Sequence, residues 1–580
     1  MIPTASAIRG QPGEHTLRGL VRSALVRAWA AAAEAGRLPP AGPEVEAEID
    51  VQRPAKPEHG DYMTNVALRL ARPLRMPPAA IATALVEAVV AEARSAPGAP
   101  IADASMAGPG FVNLRIADAA LAKVIDSARD GDTTWGRVPV AKGTDVRHVN
   151  VEFVSANPTG PLHVGNARGA FVGDLLARVL EAGGQRVTRE YYFNDSGAQV
   201  RNLGATILAI REGGDIPEEG YHGEYVVDLA PHLPDELVVA PTGLVADQPS
   251  AREQWEFRVG QWASGRIRAG IEASLANLGV KFDVWTTEAS LHDDGWVDRA
   301  MEKLRAGGHL YEQDGALWFR STAFGDDKDR VLVRSNGSRT YFAADIGYVL
   351  EKFSRGYDHL IYIWGADHHG TVARLRNAAE AMGLDKSAVE VILTGWVHFT
   401  ENGQELSMSK RAGTFITLDD LLAELGVDAA RWYFASRGAN VNMDIDIEVA
   451  KRQSSENPVY YVQYAHARIA SILRKAAGTG LAAAPSVASS LSDGPEGTLA
   501  RIVARLPEVV EDAATAQETQ AVTTYATELA TAFHAFYRDA RVVDPDAPER
   551  SAKRLALVDA TRISLANALA LLGISAPESM

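Results

Sequence analysis

The sequence predicts an α/β fold: a doubly wound, Rossmann-like domain between an N-terminal α/β domain and a C-terminal all-α bundle. A strand-like run at 149–154 passes through a loop rich in Pro and Gly into an apolar-periodic helix, as in doubly wound folds. His359–Trp364 is a near-continuous apolar run, which is typical of a buried parallel strand. From about Val449 onward the apolar spacing is helical.

Composition limits the classes of protein that fit this chain. Its 580 residues predict about three or four domains of ordinary globular composition, with 46% hydrophobic and 23% charged residues. We see no apolar run of membrane-spanning length and no apolar signal segment. The lack of Cys excludes disulfides and thiolate metal sites and favours a reducing cytoplasm. The net charge of −16 argues against nonspecific nucleic-acid binding, so any such contact must use local basic groups.

Residues 1–140 are predicted to form the N-terminal α/β domain. Leu17–Ala33 has apolar residues at helical spacing, and Gly108–Leu114 predicts a turn that leads into a strand. Phe111 and Asn113 lie in that segment. By residue type alone they are a strand aromatic and a turn cap.

Residues 141–448 are predicted to form the central domain, and 449–580 the helical one. The first βαβ unit of the central domain ends with a strand at Arg186–Phe193, and a mostly helical insertion follows around 197–280. Val389–Phe399 is predicted to be a further strand of the sheet.

The loop after the first strand of the central domain is the first candidate site. It matches neither a dinucleotide GxGxxG loop nor a GxxxxGK[ST] loop. It runs from Asn157 through Pro158–Pro161 to the sequence His-Val-Gly-Asn at 163–166. A helix that begins after such a loop can bind phosphate, with His163 and the backbone around Gly165 as donors. The alternative is a helix start that happens to carry an N-terminal His.

A second short loop at 407–411 has the sequence Ser-Met-Ser-Lys-Arg. A small-residue loop with one lysine can hold a mobile positive charge over phosphate, because the ammonium of Lys410 is a compact point charge. In isolation, the simpler explanation is a solvated lysine in a turn. The presence of both loops in one doubly wound pattern, in this order, favours a shared phosphate site.

Together the two loops resemble the signature of class I aminoacyl-tRNA synthetases, in which they flank ATP. Further segments are similar to arginyl-tRNA synthetases, and this resemblance covers nearly the whole chain. These segments are His59–Asn65, Gly108–Asn113, Asn157–Pro161, Thr340–Tyr348, Gly426–Arg431 and Asn457–Arg468. Each segment is short, but their combination is highly specific.

The resemblance implies a ligase that activates L-arginine with ATP and transfers it to tRNA(Arg), with Mg²⁺ on ATP as part of the substrate. Its catalytic residues would be His163 and Lys410. The implied ATP-binding residues are His163, Gly165, Asn166, Gly365, Asp367, Met408, Ser409 and Lys410. The implied arginine-binding residues are Asn157, Glu288, Tyr341, Asp345 and His368. The implied tRNA-binding residues are Phe111 and Asn113 at the tRNA elbow, and Tyr460, Tyr464 and Arg468 at the anticodon. We expect a cytoplasmic monomer.

Two departures from the family pattern concern the phosphate loops. The last His of the first motif is Asn166 here, which can still hydrogen-bond phosphate or ribose. The second loop lacks the first Lys and last Ser of its motif but keeps the second Lys, Lys410. Many arginyl-tRNA synthetases instead carry a lysine just before the first motif, where this chain has Gly160. We therefore expect Lys410 to supply the charge.

The residue chemistry agrees with an arginine substrate. A guanidinium is planar and permanently charged, so its selection over lysine requires carboxylates placed for bidentate pairing. Asp345 and Glu288 are the candidates, and Tyr341 would share a helical face with Asp345. By residue type alone, Asp345 is a surface or capping carboxylate. His368 and His369 are adjacent and do not converge as an i, i+4 metal pair does, so we expect no protein-bound metal.

Tyrosines and basic residues mix at the start of the helical domain, where Tyr460, Tyr464 and Arg468 lie. Aromatic rings beside basic groups suit the unpaired bases of a single-stranded loop. Packing in a helical core is the alternative for some of these tyrosines.

Three other functions would use parts of the same pattern. A small nucleotidyltransferase would share the first loop but would not need the helical domain. Cysteinyl specificity is disfavoured because its zinc site needs Cys, which is absent. A catalytically silent, synthetase-derived tRNA-binding protein would usually lose His163 or Lys410, and both are present.

Overall fold

The structure is a computed structural model that describes most of the chain. The described residues are 14–140, 146–238, 249–401, 404–405, 416–488, 491 and 494–580. They divide into two compact units, one within 1–142, 182–184 and 453–580 and the other within 143–181 and 185–452. Over the described ranges, no helix has the length and apolarity needed to cross a membrane.

The first unit begins with a three-stranded antiparallel sheet on which helices pack. Its helices are α1 (Leu17–Glu34), α2 (Pro43–Glu48), α3 (Val66–Leu74), α4 (Pro78–Ser95) and α5 (Asp118–Gly131), and its strands are β1 (Tyr62–Thr64), β2 (Ile101–Ala107) and β3 (Phe111–Ile116). The strand order is β1-β3-β2. Thr16 caps α1 by accepting from the backbone N–H of Gly19, and Leu25 and Trp29 bury its apolar face. The predicted N-terminal helix and strand are confirmed.

The second unit contains the doubly wound sheet and its insertions. In chain order its elements are β4 (His148–Glu152), α6 (Val164–Ala182), β5 (Arg186–Phe193), α7 (Gly197–Glu212), α8 (Glu224–Leu229), α9 (Asp235–Val238), α10 (Pro249–Leu278), β6 (Val284–Thr287), α11 (Glu288–Asp293), α12 (Trp296–Ala306), β7 (Leu310–Gln313), β8 (Ala316–Phe319), β9 (Arg330–Val333), α13 (Tyr341–Ser354), β10 (His359–Gly365), α14 (His369–Ala381), β11 (Val389–Thr394), β12 (Val397–Glu401), β13 (Gln404–Glu405), α15 (Leu418–Leu425), α16 (Val427–Ala435), β14 (Met443–Asp446) and α17 (Ile447–Lys451).

The central sheet of this unit is parallel throughout, with the strand order β11-β10-β4-β5-β6. Val149 and Val151 of β4 are fully buried, as expected for a central parallel strand. The winding direction reverses between β4 and β10. Ligands of doubly wound folds bind at this switch point, beyond the carboxyl ends of the strands. The predicted fold class is confirmed, and it places the candidate site after β4 and β10.

Two features of this unit differ from the prediction. The predicted strand Val389–Phe399 is two strands, because β11 belongs to the parallel sheet while β12 pairs with β13 and β14 in another. The break falls at Gly395, whose backbone is so close to Val441 that a Cβ would lie 2.7 Å from the carbonyl carbon of that residue. A continuous apolar run does not reveal such a change of partner. The small sheet β7-β8-β9 was also not predicted.

The two long helices of the insertion, α7 and α10, cross with their backbones in contact. A Cβ on Gly204 would lie 1.7 Å from the carbonyl oxygen of Glu256, and a Cβ on Gly260 would lie 1.9 Å from that of Val200. Both distances are far inside van der Waals contact. The helices can therefore approach this closely only because both positions are glycine.

The C-terminal part of the first unit is helical, as predicted. Its helices are α18 (Pro458–Gly478), α19 (Pro495–Val503), α20 (Leu506–Ala516), α21 (Gln520–Asp539) and α22 (Pro548–Leu571). Glu508 of α20 is buried and accepts hydrogen bonds from the Arg53 guanidinium (2.8 Å), the Arg18 backbone N–H (3.1 Å) and the Tyr62 hydroxyl. These donors offset the free-energy cost of removing the carboxylate from water. The N-terminal and helical segments thus form one compact unit, and the division into 1–140, 141–448 and 449–580 stays a prediction.

We expect Gly260→Ala to destabilise the protein by about 3 kcal/mol, because the new methyl group must push α7 and α10 apart. The measurement is thermal or urea-induced unfolding. Gly265→Ala in the same helix is the matched control. No heavy atom lies within 4 Å of a Cβ there, so it should be neutral or stabilising by roughly 0.5–1 kcal/mol. Equal stability of the two variants would contradict the backbone contact.

Candidate active site

The loop between β4 and α6 has a strained backbone. Val154 and Ser155 have φ values of 66° and 41°, in the left-handed region that β-branched residues rarely adopt. The Tyr191 hydroxyl holds this conformation, since it donates to the carbonyl of Ala156 (3.0 Å) and accepts from the N–H of the same residue (3.1 Å). Such strain often occurs at binding sites. Here the strained pair lies two residues before Asn157, which is exposed.

His163 lies directly before α6 and forms an isolated antiparallel bridge with Thr417. The N–H of Val164 donates to the carbonyl of Ile416 (3.0 Å), the first described residue after the second loop. Three predicted residues of that loop lie outside the described residues: Met408, Ser409 and Lys410. The chain that leaves the second loop nevertheless runs beside His163.

Gly165 makes room for the imidazole of His163. A Cβ at position 165 would lie 2.8 Å from Cε1 and 2.9 Å from Nδ1 of that ring. Any side chain here would therefore displace the imidazole. The next residue, Asn166, is half-buried, and its backbone N–H donates to the carbonyl of His163 (2.8 Å). The Gly of the first motif is thus needed for close packing.

The end of β10 supplies the other side of the switch point. Gly365 is half-buried, and His368 is exposed with its ring 5.8 Å from that of Trp364. The side chain of Asp367 lies outside the described part of the structure. Because β10 pairs in parallel with β4, these residues lie at the same sheet edge as the loop that leads to His163.

Glu288 is the first residue of α11 and is buried, with 7% of its surface exposed. The Tyr192 hydroxyl (2.8 Å) and the Ser196 hydroxyl (2.7 Å) donate to its two carboxylate oxygens. Both oxygens keep further lone pairs. The carboxylate of Glu288 is therefore held in one orientation and can still accept other donors.

Asp345 lies on the predicted helix, α13, one turn after the exposed Tyr341. It is half-buried, and among the described residues no group donates a hydrogen bond to its carboxylate. Burial, and then the negative charges of Glu152 and Glu288, raise the pKa of Asp345 from 3.8 to about 7. A nearby cation would lower the pKa of this carboxyl, so its raised pKa agrees with the lack of a cationic partner.

We use the name acidic cluster for Glu152, Glu190, Glu288 and Asp345. Two of its members are paired, since Lys352 contacts Glu152 (2.6 Å) and Arg355 contacts Glu190 (2.8 Å). Burial acts to raise the pKa of Glu190, but Lys352 and Arg355 together lower it to about 2. Glu288 and Asp345 have no cation beside them in the described part of the chain. The cluster therefore carries an excess of negative charge that a bound cation would neutralise.

The predicted elbow residues lie together on β3 in the first unit. Phe111 pairs with Ala107 of β2, and Asn113 lies between Met63 of β1 and Ser105 of β2. Both side chains are half-buried. They occupy the same face of the sheet because they are two residues apart.

Aromatic rings form a stack on the surface of α18 and α21. The rings of Tyr460 and Tyr464 are 6.5 Å apart at 10°, and His534 lies 6.0 Å from Tyr464. Arg468 donates to the hydroxyl of Tyr464 (2.8 Å), and its guanidinium lies 4.4 Å from the ring centre of Tyr537. Tyr464 is 38% exposed. The alternative of core packing therefore does not apply to Tyr464.

Comparisons with known proteins agree with this architecture along the chain. The family model "Arginyl tRNA synthetase N terminal domain" matches residues 16–116, "tRNA synthetases class I (R), catalytic domain" matches 136–215 and 261–470, and "DALR anticodon binding domain" matches 462–580. The arginine–tRNA ligase of Bacillus licheniformis is 43% identical over 540 residues, or 92% of this chain and 94% of the relative. The chain belongs to the arginyl-tRNA synthetase family.

Two further relatives extend this finding over nearly the whole chain. The arginine–tRNA ligase of Heliobacterium modesticaldum is 44% identical over 583 residues, which cover 97% of this chain and 99% of that protein. The structure of the Thermus thermophilus arginyl-tRNA synthetase matches 97% of this chain and 100% of its own with a TM-score of 0.73. At 24% identity, this match concerns the fold alone. The family resemblance seen in the sequence is confirmed, and nothing favours the catalytically silent alternative for this arginyl-tRNA synthetase.

Several residues that shape the site were not predicted from the sequence. Tyr192 and Ser196 hold Glu288, Lys352 and Arg355 pair with the acidic cluster, and the ring of His534 joins the aromatic stack. Lys352 had one usable signal, because it lies seven residues after Asp345 and so shares the buried face of α13. The others are brought in by tertiary contacts.

We expect Asp345→Asn to stabilise the arginine-free protein at pH 8. Folding raises the pKa of Asp345 to about 7. Above that pH the carboxyl is ionised in the folded protein, which lowers the free energy of unfolding by roughly 2–4 kcal/mol at most. Asparagine has no such charge and avoids this loss. The gain should shrink as the pH falls through 7 and vanish below about pH 4, where the acid is protonated in both states. Melting temperatures measured between pH 4 and 8 provide the test.

Glu302→Gln, at an exposed position of α12, is the matched control and should leave the melting temperature nearly unchanged at every pH. If the melting temperature of Asp345→Asn instead rose further above that of the wild type as the pH falls, the proposed excess of negative charge in the acidic cluster would be contradicted.

Proposed function

We propose that this arginyl-tRNA synthetase selects arginine with the acidic cluster and joins it to tRNA at the switch point between β4 and β10. The observation that carries the proposal is the carboxylate of Asp345, which lacks a donor among the described residues beside the fixed carboxylate of Glu288. The overall reaction converts L-arginine, ATP and tRNA(Arg) into arginyl-tRNA, AMP and pyrophosphate.

The guanidinium of arginine fits the charge of this pocket. Its planar array of donors can pair with Asp345 and Glu288 at once, and its charge favours ionised Asp345 over the protonated form. Lysine offers a single ammonium and would leave carboxylate oxygens buried without donors, which is costly. Tyr341, one turn before Asp345, contributes its ring and hydroxyl to the same substrate. This penalty makes a separate editing step unnecessary.

The other end of the substrate lies toward the phosphate loop. Asn157, exposed two residues after the strained pair Val154 and Ser155, holds the α-amino or carboxylate group of arginine. His368 borders arginine and adenosine from the end of β10. The substrate thereby lies across the switch point, with its carboxylate directed toward the ATP site.

In the first step a carboxylate oxygen of arginine attacks the α-phosphorus of ATP in line. The bond from the α-phosphorus to the bridging oxygen breaks, and pyrophosphate leaves with Mg²⁺ as part of the substrate complex. No enzyme nucleophile is required, so catalysis rests on positioning and on stabilising the charge of the transferring phosphoryl group. His163 and Lys410 donate to the phosphate oxygens.

The remaining ATP contacts come from both sides of the switch point. Gly165 and Asn166 offer backbone and amide groups at the start of α6, where the helix dipole favours phosphate. Gly365 and Asp367 border the adenosine, while Met408 and Ser409 carry Lys410 over the phosphates. In the second step the terminal ribose 2′-hydroxyl of tRNA attacks the carbonyl carbon of arginyl-adenylate, and AMP leaves.

The tRNA contacts away from the reaction involve the first unit. Phe111 and Asn113 on one face of the N-terminal sheet bind the tRNA elbow. The aromatic stack with Tyr460, Tyr464 and Arg468 binds unpaired anticodon bases by stacking, with Arg468 near their phosphates. The protein works as a cytoplasmic monomer: one chain supplies both sets of contacts, and the absence of Cys suits a reducing compartment.

ATP–pyrophosphate exchange and tRNA charging, measured with each amino acid in the presence and absence of tRNA(Arg), test the function. We expect arginine to support both reactions and lysine to be rejected by a factor on the order of 10⁴. Exchange with an amino acid other than arginine, or none at all, would overturn the proposed specificity.

Lys410→Ala is expected to lower turnover roughly 100- to 1000-fold, because it removes a charge from the phosphoryl transition state. Affinity for tRNA should remain nearly intact, and filter binding measures it. Lys451→Ala, at an exposed lysine of α17, is the control and should retain turnover. Unchanged turnover of Lys410→Ala would refute the idea that the charge missing at Gly160 is supplied from the second loop.

A further inference from the structure

An exposed tryptophan lies at the functional edge of the parallel sheet. Trp396 lies between the end of β11 and the start of β12 and exposes 60% of its surface, which is unusual for so large an apolar side chain. Val441, in the neighbouring segment, is 50% exposed. Since β11 is parallel to β10, Trp396 leaves the sheet at the same edge as Gly365 and His368.

Arg168 joins the two segments that carry these side chains. It is buried, with 1% exposed, and its guanidinium donates to the carbonyls of Trp396 (3.0 Å), Gly438 (3.1 Å) and Val441. In the described structure no carboxylate pairs with it. A cation buried without a counter-charge lowers the stability of the folded protein. Here the buried guanidinium nevertheless holds the two segments together in one arrangement.

Backbone contacts complete the fixed pairing. The N–H of Gly395 donates to the carbonyl of Ala439 (2.9 Å), and the N–H of Trp396 donates to the side chain of Asn442 (2.9 Å). The exposed indole therefore does not belong to a loose loop. It is an apolar side chain held at the surface on a rigid base.

The segment paired with the one that carries this indole also carries a positive charge. Arg437 is exposed and, within the described ranges, its side chain forms no ion pair or hydrogen bond. Its neighbour Gly438 shares the guanidinium of Arg168 with Trp396, so the two segments run side by side. Aromatic faces and basic side chains on one surface are the combination that binds single-stranded nucleic acid.

We propose that the surface formed by Trp396, Arg437 and Val441 binds the unpaired 3′ end of tRNA next to the reaction site. A base of this end stacks on the indole and packs against Val441, and Arg437 pairs with a phosphate. This inference rests on the proposed function, which requires that the terminal ribose enter the same sheet edge. The negative charge of a phosphate attracts the guanidinium of Arg437, and the flat face of any base can stack on the indole of Trp396.

The test compares intact tRNA(Arg) with the same tRNA lacking its unpaired 3′ nucleotides, and dissociation constants are measured by filter binding. Trp396→Ala should weaken binding of intact tRNA on the order of tenfold and change binding of the shortened tRNA less than twofold. Trp396→Phe should restore most of the affinity, because it restores an aromatic face. Arg437→Ala should weaken binding of intact tRNA and reduce the slope of log affinity against log salt by about 1.

Matched controls are Arg258→Ala and Val227→Ala, which remove an exposed cation and an exposed apolar side chain of the insertion. They should leave both affinities unchanged. Unaltered affinity of the shortened tRNA also shows that each variant is folded.

The inference fails if Trp396→Ala weakens both tRNAs equally, or if it weakens neither. It also fails if Trp396→Ala raises the KM for ATP while the affinity for tRNA is kept, because the indole then belongs to the ATP site. If the surface fails but the wild-type protein still charges tRNA with arginine, the proposed function stands. If the wild-type protein does not charge arginine at all, the proposed function fails.

Discussion

The arrangement of this site depends on an unbalanced set of buried charges. Lys352 and Arg355 neutralise Glu152 and Glu190, which leaves Glu288 and Asp345 without a cation among the described residues. Burial and the negative charges of Glu152 and Glu288 raise the pKa of Asp345 to about 7. The ionised carboxylate therefore carries an electrostatic cost, which the guanidinium of the proposed substrate would relieve. In the proposed function, selectivity for arginine would follow from the same excess of negative charge that makes the free pocket less stable. Function and stability are opposed at this point, as is common in binding sites.

Close backbone packing holds the rest of the site in place. The Tyr191 hydroxyl holds the backbone next to the strained residues Val154 and Ser155, and Gly165 leaves the space that the His163 ring occupies. Because β4 and β10 are adjacent parallel strands at the switch point, the loops that follow them meet at one edge. The acidic cluster, the phosphate loop and the exposed indole of Trp396 all lie along it. In the proposed function, the two small substrates and the end of the tRNA meet at this edge of the sheet.

Helices and strands with a regular spacing of apolar residues could be predicted from the sequence. Features that depend on contacts between distant segments could not. The helices α1 and α6 and the strands β4, β5 and β10 follow from apolar spacing and turn residues, because these signals are local. The division of Val389–Phe399 between two sheets depends on Gly395 meeting Val441, 46 residues later in the chain. Of the arginine pocket, Asp345 and Glu288 were predicted by resemblance, whereas Lys352 and Ser196 act through contacts that no local pattern records.

The sequence by itself determined the fold class, the two candidate phosphate loops and the family, because these depend on residue types at short, regular spacings. Tertiary structure alone decided which charges are paired. Asp345 is an ordinary carboxylate in the sequence. It is the proposed binding group because folding buries it beside Glu152 and Glu288, while Lys352 and Arg355 pair with Glu152 and Glu190. Arg168 and Trp396 show the same dependence, since a buried guanidinium 228 residues away along the chain holds the segment that presents the indole. Desolvation and proximity are properties of the folded chain, and no local sequence pattern contains them.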